Sequence, residues 1–272
     1  MKNVFFFVFF SIISVLPIQA QTGLTAGPPR VYFISDPGQQ QIKFIDISNP
    51  SPDYALELGV SFEDWSYSET GDNVLSPKGS LANSCANWLS VSEPYFSLAP
   101  GESKRLQVIM NVPKDLNLES DVSVHTSMLF VTQLNPKASA EQAGATIRLA
   151  VRSGIKIYHR LNSRPQQDVE ITNISYLKTD SIGDFLVVDF KVMANTWLEG
   201  KVRAELLNQD NGKKINLNDI LFYALPNDIR RQYIPLPTIL SSGKYLASVI
   251  FLYNDQESIK MGELEFDYVT EK

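Results

Sequence analysis

The sequence predicts an all-β protein built from two immunoglobulin-like β-sandwich domains, set at an angle with a cleft between them. Three observations carry the prediction. Apolar side chains alternate with polar ones over short runs, the period of a strand rather than a helix. Pro, Gly, Asn and Asp separate those runs at sandwich spacing. The 272-residue chain, shortened by a leader, keeps about 250 residues, a length that favours two domains over one.

The leader is "MKNVFFFVFFSIISVLPIQA", residues 1–20. A basic start at Lys2, an apolar run and small Ala20 before Gln21 read as a cleaved secretory signal peptide. A retained anchor needs about 20 apolar residues, and Pro17 and Gln19 shorten this run. Gln21 stands where a lipoprotein would need cysteine. No other segment is apolar enough to span a bilayer, so the expected product is exported, not membrane-spanning, and periplasmic.

Residues 21–160 read as the first domain. "VYFIS", "QIKFIDISN" and "YALELGVSFEDW" are its first strands, with "NPSPD" turning between the second and third. "GDNVLSPKGSLANSCAN" is dense in turn formers and reads as loop. "WLSVSEPYFSLAPGESKRLQVIMNVP" gives two strands about the turn "APGES", and "VHTSMLFVTQL" another. "NPKASAEQAGA" reads as a small-residue loop. The closing stretch is "IRLAVRSGIKIYHR", residues 147–160, with Ile147, Leu149 and Val151 in one row and Ile155 and Ile157 in phase beyond Gly154. "LNSRPQQ", 161–167, reads as a linker, and residues 168–272 as the second domain. There "DVEITNISYLKT", "DFLVVDFKVMAN", "KVRAELLNQDNGKKI", "RQYIPLP", "GKYLASVIFLYN" and "IKMGELEFDYV" are strand runs. "QDNGKK" puts Asn-Gly between strands, a hairpin signal. Trp197 is expected inside a strand and in the core.

The chain holds 24 Lys and Arg against 30 Asp and Glu. Loss of Lys2 with the leader leaves 23 − 30 = −7, which argues against a nucleic-acid partner. Cys85 is the single cysteine, so no internal disulfide forms; it reads as an incidental small residue. His125 and His159 stand at no metal-ligand spacing and read as structural or surface groups. No G-x-S-x-G elbow or phosphate-cradling glycine loop is present. Acid pairs such as Glu263/Glu265 read as solvated strand faces. The expectation is a non-enzyme without cofactor, nucleotide or metal.

Four pieces together resemble the PapD-like periplasmic chaperones of pilus assembly, the chaperone–usher family. "PRVYF" with "IKFIDISNPSP" is similar to the family's first two strands. "FSLAPGESKRLQVIM" is similar to its L-x-P-G turn and the strand that follows, and "SMLFVTQLNP" to its penultimate strand. "IRLAVRSGIKIYHR" is similar to its last strand, including the closing I-K-φ-aromatic-x-R. The match spans residues 29–160, and no piece is specific alone. The resemblance implies that this last strand lends its edge to pilus or fimbrial subunits whose own sandwich lacks a strand. Ile147, Leu149 and Val151 would then fill the subunit groove, each contributing roughly 1.5–3 kcal/mol before ordering costs. It also implies that Arg30 and Lys156 grip the subunit's terminal carboxylate, that Arg160 is a structural residue between domains, and that an outer-membrane usher is a second partner. Thr126 stands where an acidic partner of Arg160 is expected, a departure from the pattern. Two other readings of the residues stay open. One is an exported structural or adhesive surface protein whose last strand faces its own core. The other is a carbohydrate-binding module using Trp65 or Trp88, which needs those indoles exposed.

Overall fold

The computed structural model describes residues 23–116, 122–136, 138–142, 145–179, 183–238, 240–255 and 257–269, with side chains described outside 138–142 and 145–147. The leader read at residues 1–20 lies outside them. The front strands are β1 Thr25–Gly27, β2 Arg30–Ile34, β3 Gln40–Ser48, β4 Leu56–Tyr67, β5 Asn73–Ser76, β6 Leu89–Val91, β7 Tyr95–Leu98, β8 Ser103–Asn111, β9 Val124–Gln133, β10 Ala138–Gln142, β11 Ala145–Arg148 and β12 Arg152–Arg160. The back strands are β13 Val169–Leu177, β14 Phe185–Val192, β15 Leu198–Asn208, β16 Lys214–Asn216, β17 Ile220–Ala224, β18 Ile229–Pro235, β19 Gly243–Tyr253 and β20 Ser258–Tyr268.

In the front unit one sheet runs β1-β3-β8-β6 and the other β2-β12-β9-β4-β5, with β7 on β4 and β10-β11 a separate hairpin. The chain crosses from the first sheet to the second at Pro28 and Pro29, residues without an N–H to give a ladder. β2 then runs parallel to β12, while β9 flanks β12 antiparallel on its other side. Alternation sends Ile45, Ile47, Leu106, Val108, Leu129, Val131, Ile155 and Ile157 into the core between these sheets. In the back unit, β13-β14-β18 packs on β16-β15-β19-β20, with β17 on β15. Val188, Phe190, Val202, Leu206, Val249 and Phe251 fill that second core. Both units are all-β sandwiches, as the alternation predicts.

A third cluster joins the units. Trp65, Val124, Met128, Phe130 and Tyr158 of the front pack with Leu225 of the back, bordered by Tyr32, Tyr67 and Trp197. This explains why β9 is buried from Val124 to Val131: its odd positions Leu129 and Val131 face the front core, while Met128 and Phe130 face the junction. Trp65 is fully buried, its indole N–H donating to Ser127 O at 2.8 Å. That burial removes Trp65 as a sugar-stacking platform. Trp197 is half-buried just ahead of β15, not inside a strand of the back core. It packs across the junction instead, with its ring 4.8 Å from that of Tyr32.

Three segments differ from their sequence reading. "GDNVLSPKGSLANSCAN" contains β5, paired to β4, and a 3-10 turn over Ala86–Trp88. Turn formers do not prevent a short strand where a ladder partner imposes one. The buried Asp64 holds the rest of this segment, accepting from Leu81 N at 2.9 Å and Ser84 Oγ at 2.6 Å. Cys85 N donates to Thr126 O at 3.0 Å, which seats the thiol in the front core, where burial raises its pKa. "NPKASAEQAGA" contains β10, and "ILFYA" forms β17 on the edge of β15. The Asn211-Gly212 turn does join two strands, β15 and β16, with Gly212 at a φ of 73°.

Truncating Trp65 removes the largest side chain of the junction cluster and strands the Ser127 carbonyl. Trp65→Ala is expected to lower unfolding free energy by roughly 3–5 kcal/mol, read as a drop in the urea midpoint. A loss under about 1 kcal/mol would show that the junction contributes little.

Candidate functional site

β2 begins at Arg30, and Arg30 stands opposite Lys156 in the parallel ladder. The first contact between these strands is Lys156 N donating to Pro29 O at 3.0 Å. From Ile155 back to Arg152, β12 is paired to β9 on one side and, among the described residues, to no strand on the other. Paired residues share a sheet face, so Arg30 and Lys156 stand together where the open edge begins. Strand alternation puts Gly154, Lys156 and Tyr158 on the junction face and Ile155 and Ile157 on the core face.

Lys156 Nζ lies 4.3 Å from the Tyr67 ring centroid and 4.6 Å from that of Trp65. It donates to Tyr67 Oη at 3.0 Å. Partial burial, with Arg30 and Arg230 adding repulsion, lowers its pKa from 10.5 to about 8. The Arg30 guanidinium lies 3.7 Å over the Tyr223 ring of β17. Its Nε is buried with no hydrogen-bond partner in the described structure, an arrangement that costs free energy unless an acceptor arrives.

Arg230, on β18, is a buried cation beside Lys156 that the sequence reading does not single out. It is 6% exposed. Its Nη1 donates to Tyr223 O at 2.8 Å and its Nε to Glu69 O at 3.3 Å. Asp228 Oδ2 stands 3.6 Å from Nη1, and the Tyr67 centroid is 4.9 Å from Cζ. The signal was present in "IRRQYIP": Arg230 shares the phase of the core residue Ile234. A charged side chain on the inward phase of a strand needs a specific surrounding.

Lys156 borders two pockets. A polar one of about 340 Å³ is lined by Tyr67, Thr70, Asn73, Tyr223 and Arg230 among others. A second, of about 470 Å³, is lined by Pro29, Arg30, Leu75, Met128, Phe130 and Gly154. Gly154 is needed for this second space: a Cβ there would stand 2.9 Å from Met128 Sδ and 3.0 Å from Phe130 Cε1. The missing side chain at Gly154 lets two apolar side chains lie over the strand. The combination suits an extended chain with a terminal anion, its apolar part on the shelf and its charge among the cations.

The donor-edge row is not one continuous strand. β11 ends at Arg148 and β12 starts at Arg152. At the break the Gln133 side chain enters the ladder: Val151 N donates to Gln133 Oε1 at 3.4 Å, and Gln133 N donates to Val151 O at 2.9 Å. The Ile147 side chain lies outside the described ones. Leu149 is 61% exposed, and Val151 is half-buried against the front core. Ile155 and Ile157 are fully buried there, so the row does not extend past Gly154 as an outer surface. Arg160 donates to the carbonyls of Leu161 and Ser163 at 3.0 and 2.9 Å and lies 5.7 Å over Trp197. Thr126 is buried, with Oγ1 donating to Trp65 O at 3.3 Å. His125 and His159 are buried, their Nδ1 atoms 3.3 Å apart; burial lowers both pKa values, that of His125 to about 4. Among the described residues no group of three or more His, Cys, Asp or Glu is placed to hold a metal ion, and no helix is long and apolar enough to cross a membrane.

No family model matches the chain, and no curated protein matches it. Solved structures do align with it. The YadV chaperone aligns at 11% identity and a TM-score of 0.44, over 90% of this chain and 100% of that one. The Pseudomonas aeruginosa CupB2 chaperone aligns at 11% and 0.41, over 88% and 98%. The CsuC–CsuE chaperone–tip subunit complex of Acinetobacter baumannii aligns at 11% and 0.47, over 89% and 98%. At these values the function has to be read from the cleft itself.

The Lys156 shift has a measurable sign. With a folded pKa near 8 and an ordinary value of 10.5, the unfolded chain binds more protons between those limits. This residue therefore makes folding more favourable as pH rises from about 8 to 10.5, and below 8 its effect is constant and unfavourable. Lys156→Met is expected to be the more stable protein at pH 7, with its advantage over the wild type shrinking across that window. Urea midpoints of both proteins from pH 7 to 10.5 check this; a constant difference would show that the ammonium is not desolvated.

Proposed function

We propose that this protein is a periplasmic chaperone that caps pilus or fimbrial subunits by edge-strand donation and hands them to an outer-membrane usher. The observation that carries the reading is a coincidence of position: the open edge of β12 ends at Lys156, where Arg30 faces it in register. A strand that adds to this edge is stopped by β2 at the point where its terminal carboxylate meets two cations. Main-chain pairing supplies affinity, and the carboxylate fixes direction and register. Exposed Leu149 and the hairpin β10-β11 lie on the N-terminal side of the same edge, and would meet the groove of an incomplete sandwich. The pocket over Gly154 takes an apolar side chain close to the partner's terminus.

In this reading residues 1–20 are removed on export. Residues 21–160 and 168–272 are two domains joined by 161–167, and Arg160 stiffens that joint by capping linker carbonyls. No cofactor enters, because the free energy of completing the subunit's own fold drives release.

The test is co-purification from the periplasm of a producing strain. The wild type should bring down a small β-protein; Arg30→Ala and Lys156→Ala should each lose it without a fall in melting temperature. Leu149→Glu should lose it too, because a carboxylate would be buried unpaired in an apolar groove. Normal recovery with both cation variants would remove the carboxylate anchor. A wild-type protein that emerges alone, from cells that display fibres, would favour the structural or adhesive surface protein.

A further inference from the structure

The proposed carboxylate site is described above by two residues of the front unit, yet the pocket beneath Lys156 is closed by the back unit. Lys156 Nζ and Arg230 Cζ stand 4.3 and 4.9 Å from the centroid of one ring, that of Tyr67. Both side chains line the polar pocket. Arg30 lines the adjoining pocket with Lys156 and reaches the polar one through Tyr223: its guanidinium lies on that ring, and Arg230 holds the carbonyl of the same residue. Against Arg30, Lys156 and Arg230 stands Asp228, at 3.6 Å from Arg230, together with Asp72 at the pocket wall. Asp72 is turned to its own loop, accepting from Thr70 Oγ1 at 2.6 Å.

Arg230 is also fixed in place before any partner arrives. Its Nε donates to Glu69 O, and Arg231 N donates to the same carbonyl at 2.7 Å. Its Nη2 lies where a side chain at residue 71 would be: a Cβ on Gly71 would stand 2.1 Å away. Gly71 has a φ of +92°, so both its conformation and this close approach require glycine. The Ser68–Asp72 turn of the front unit therefore clasps a cation of the back unit.

We propose that the anion site spans both units and that Arg230 is its third cation, binding the partner's terminal carboxylate together with Arg30 and Lys156. This rests on the carboxylate reading above and deepens it: the back unit becomes part of the binding site, and the Glu69–Gly71 turn sets the position of its cation. The ligand class is an extended peptide with a free C-terminus.

The probe is N-acetylphenylalanine against N-acetylphenylalanine amide, titrated by NMR into the full-length mature protein at pH 7. The wild type should prefer the acid. Arg230→Gln should weaken the acid roughly tenfold, the loss of one charge-assisted hydrogen bond, and leave the amide unchanged; its Lys156 ammonium should titrate at higher pH than in the wild type. Arg230→Lys should retain most of the preference, and this variant carries the test if the glutamine variant melts early. Equal losses for acid and amide, or an unmoved Lys156 titration in a folded Arg230→Gln protein, would overturn the third-cation role. A wild type that does not distinguish acid from amide would instead bring down the carboxylate site itself, so the two failures are separable.

Discussion

The cleft depends on one constraint: cations that repel one another must be held together while partly withdrawn from water. Aromatic faces make this tolerable. Tyr67 and Trp65 lie against the Lys156 ammonium, Tyr223 lies under Arg30, and Tyr67 also faces Arg230. Each contact stabilises by about 0.5–2 kcal/mol depending on desolvation, comparable to the cost it offsets. The residual penalty appears as the lowered pKa of Lys156 and as the buried, unpartnered Arg30 Nε. In the proposed reading both would be relieved by the same event, the arrival of an anion. A site that is uncomfortable when empty and relaxed when filled is organised before binding, so less ordering remains to be done then.

That arrangement requires the two units to keep a fixed relation, and the junction supplies it. Trp197 touches Tyr32 and Tyr158; Leu225 enters the cluster around Trp65; Tyr32 Oη donates to Glu199. Two donors, Arg230 Nε and Arg231 N, converge on Glu69 O. The aromatic residues on the outer face of the β2-β12-β9-β4-β5 sheet thus serve twice. Tyr158 and Trp65 glue the units together, and one alternation step along β12 places Lys156 at the edge of that glue, half in the junction and half in the open pocket.

Alternation made most of this legible in advance. Strand period and the polar linker separated the two sandwiches, and the resemblance of "PRVYF" and "GIKIYHR" to a known family's strands, not the period, singled out Arg30 and Lys156. The misses share a physical cause: partners distant in sequence decided them. Composition read β5 and β10 as loop, because turn formers dominate there, whereas β4 and β11 provide ladders that override it. Trp197 looked like core because a large indole in an apolar stretch usually is; a neighbouring unit buried it halfway instead. Ile155 and Ile157 share the phase of Leu149, and phase cannot say that β9 and β2 enclose one end of the strand and leave the other open. The inward phase of Arg230 could be read from the sequence, but not what surrounds it, because Tyr67 and Glu69 belong to the other unit.

The same geometry answers how such an edge survives without a partner. An unpaired, flat, apolar strand is a template for self-association, and β12 is protected from being one. Its regular ladder to β9 stops at Arg152, and at Val151 the Gln133 side chain takes the place of one of the two main-chain bonds, so among the described residues the flat edge is short. Arg152 pairs with Glu63 and covers the Phe130 ring at 3.4 Å, placing charge over the apolar shelf. At the foot, the cations repel any chain that arrives there with a basic end or continues without a terminus, since β2 blocks the way beyond Lys156. In the proposed reading, breadth of recognition by backbone pairing is thereby combined with a strict requirement at one end: an added strand would have to finish, and finish with a negative charge, where Arg30 and Lys156 stand.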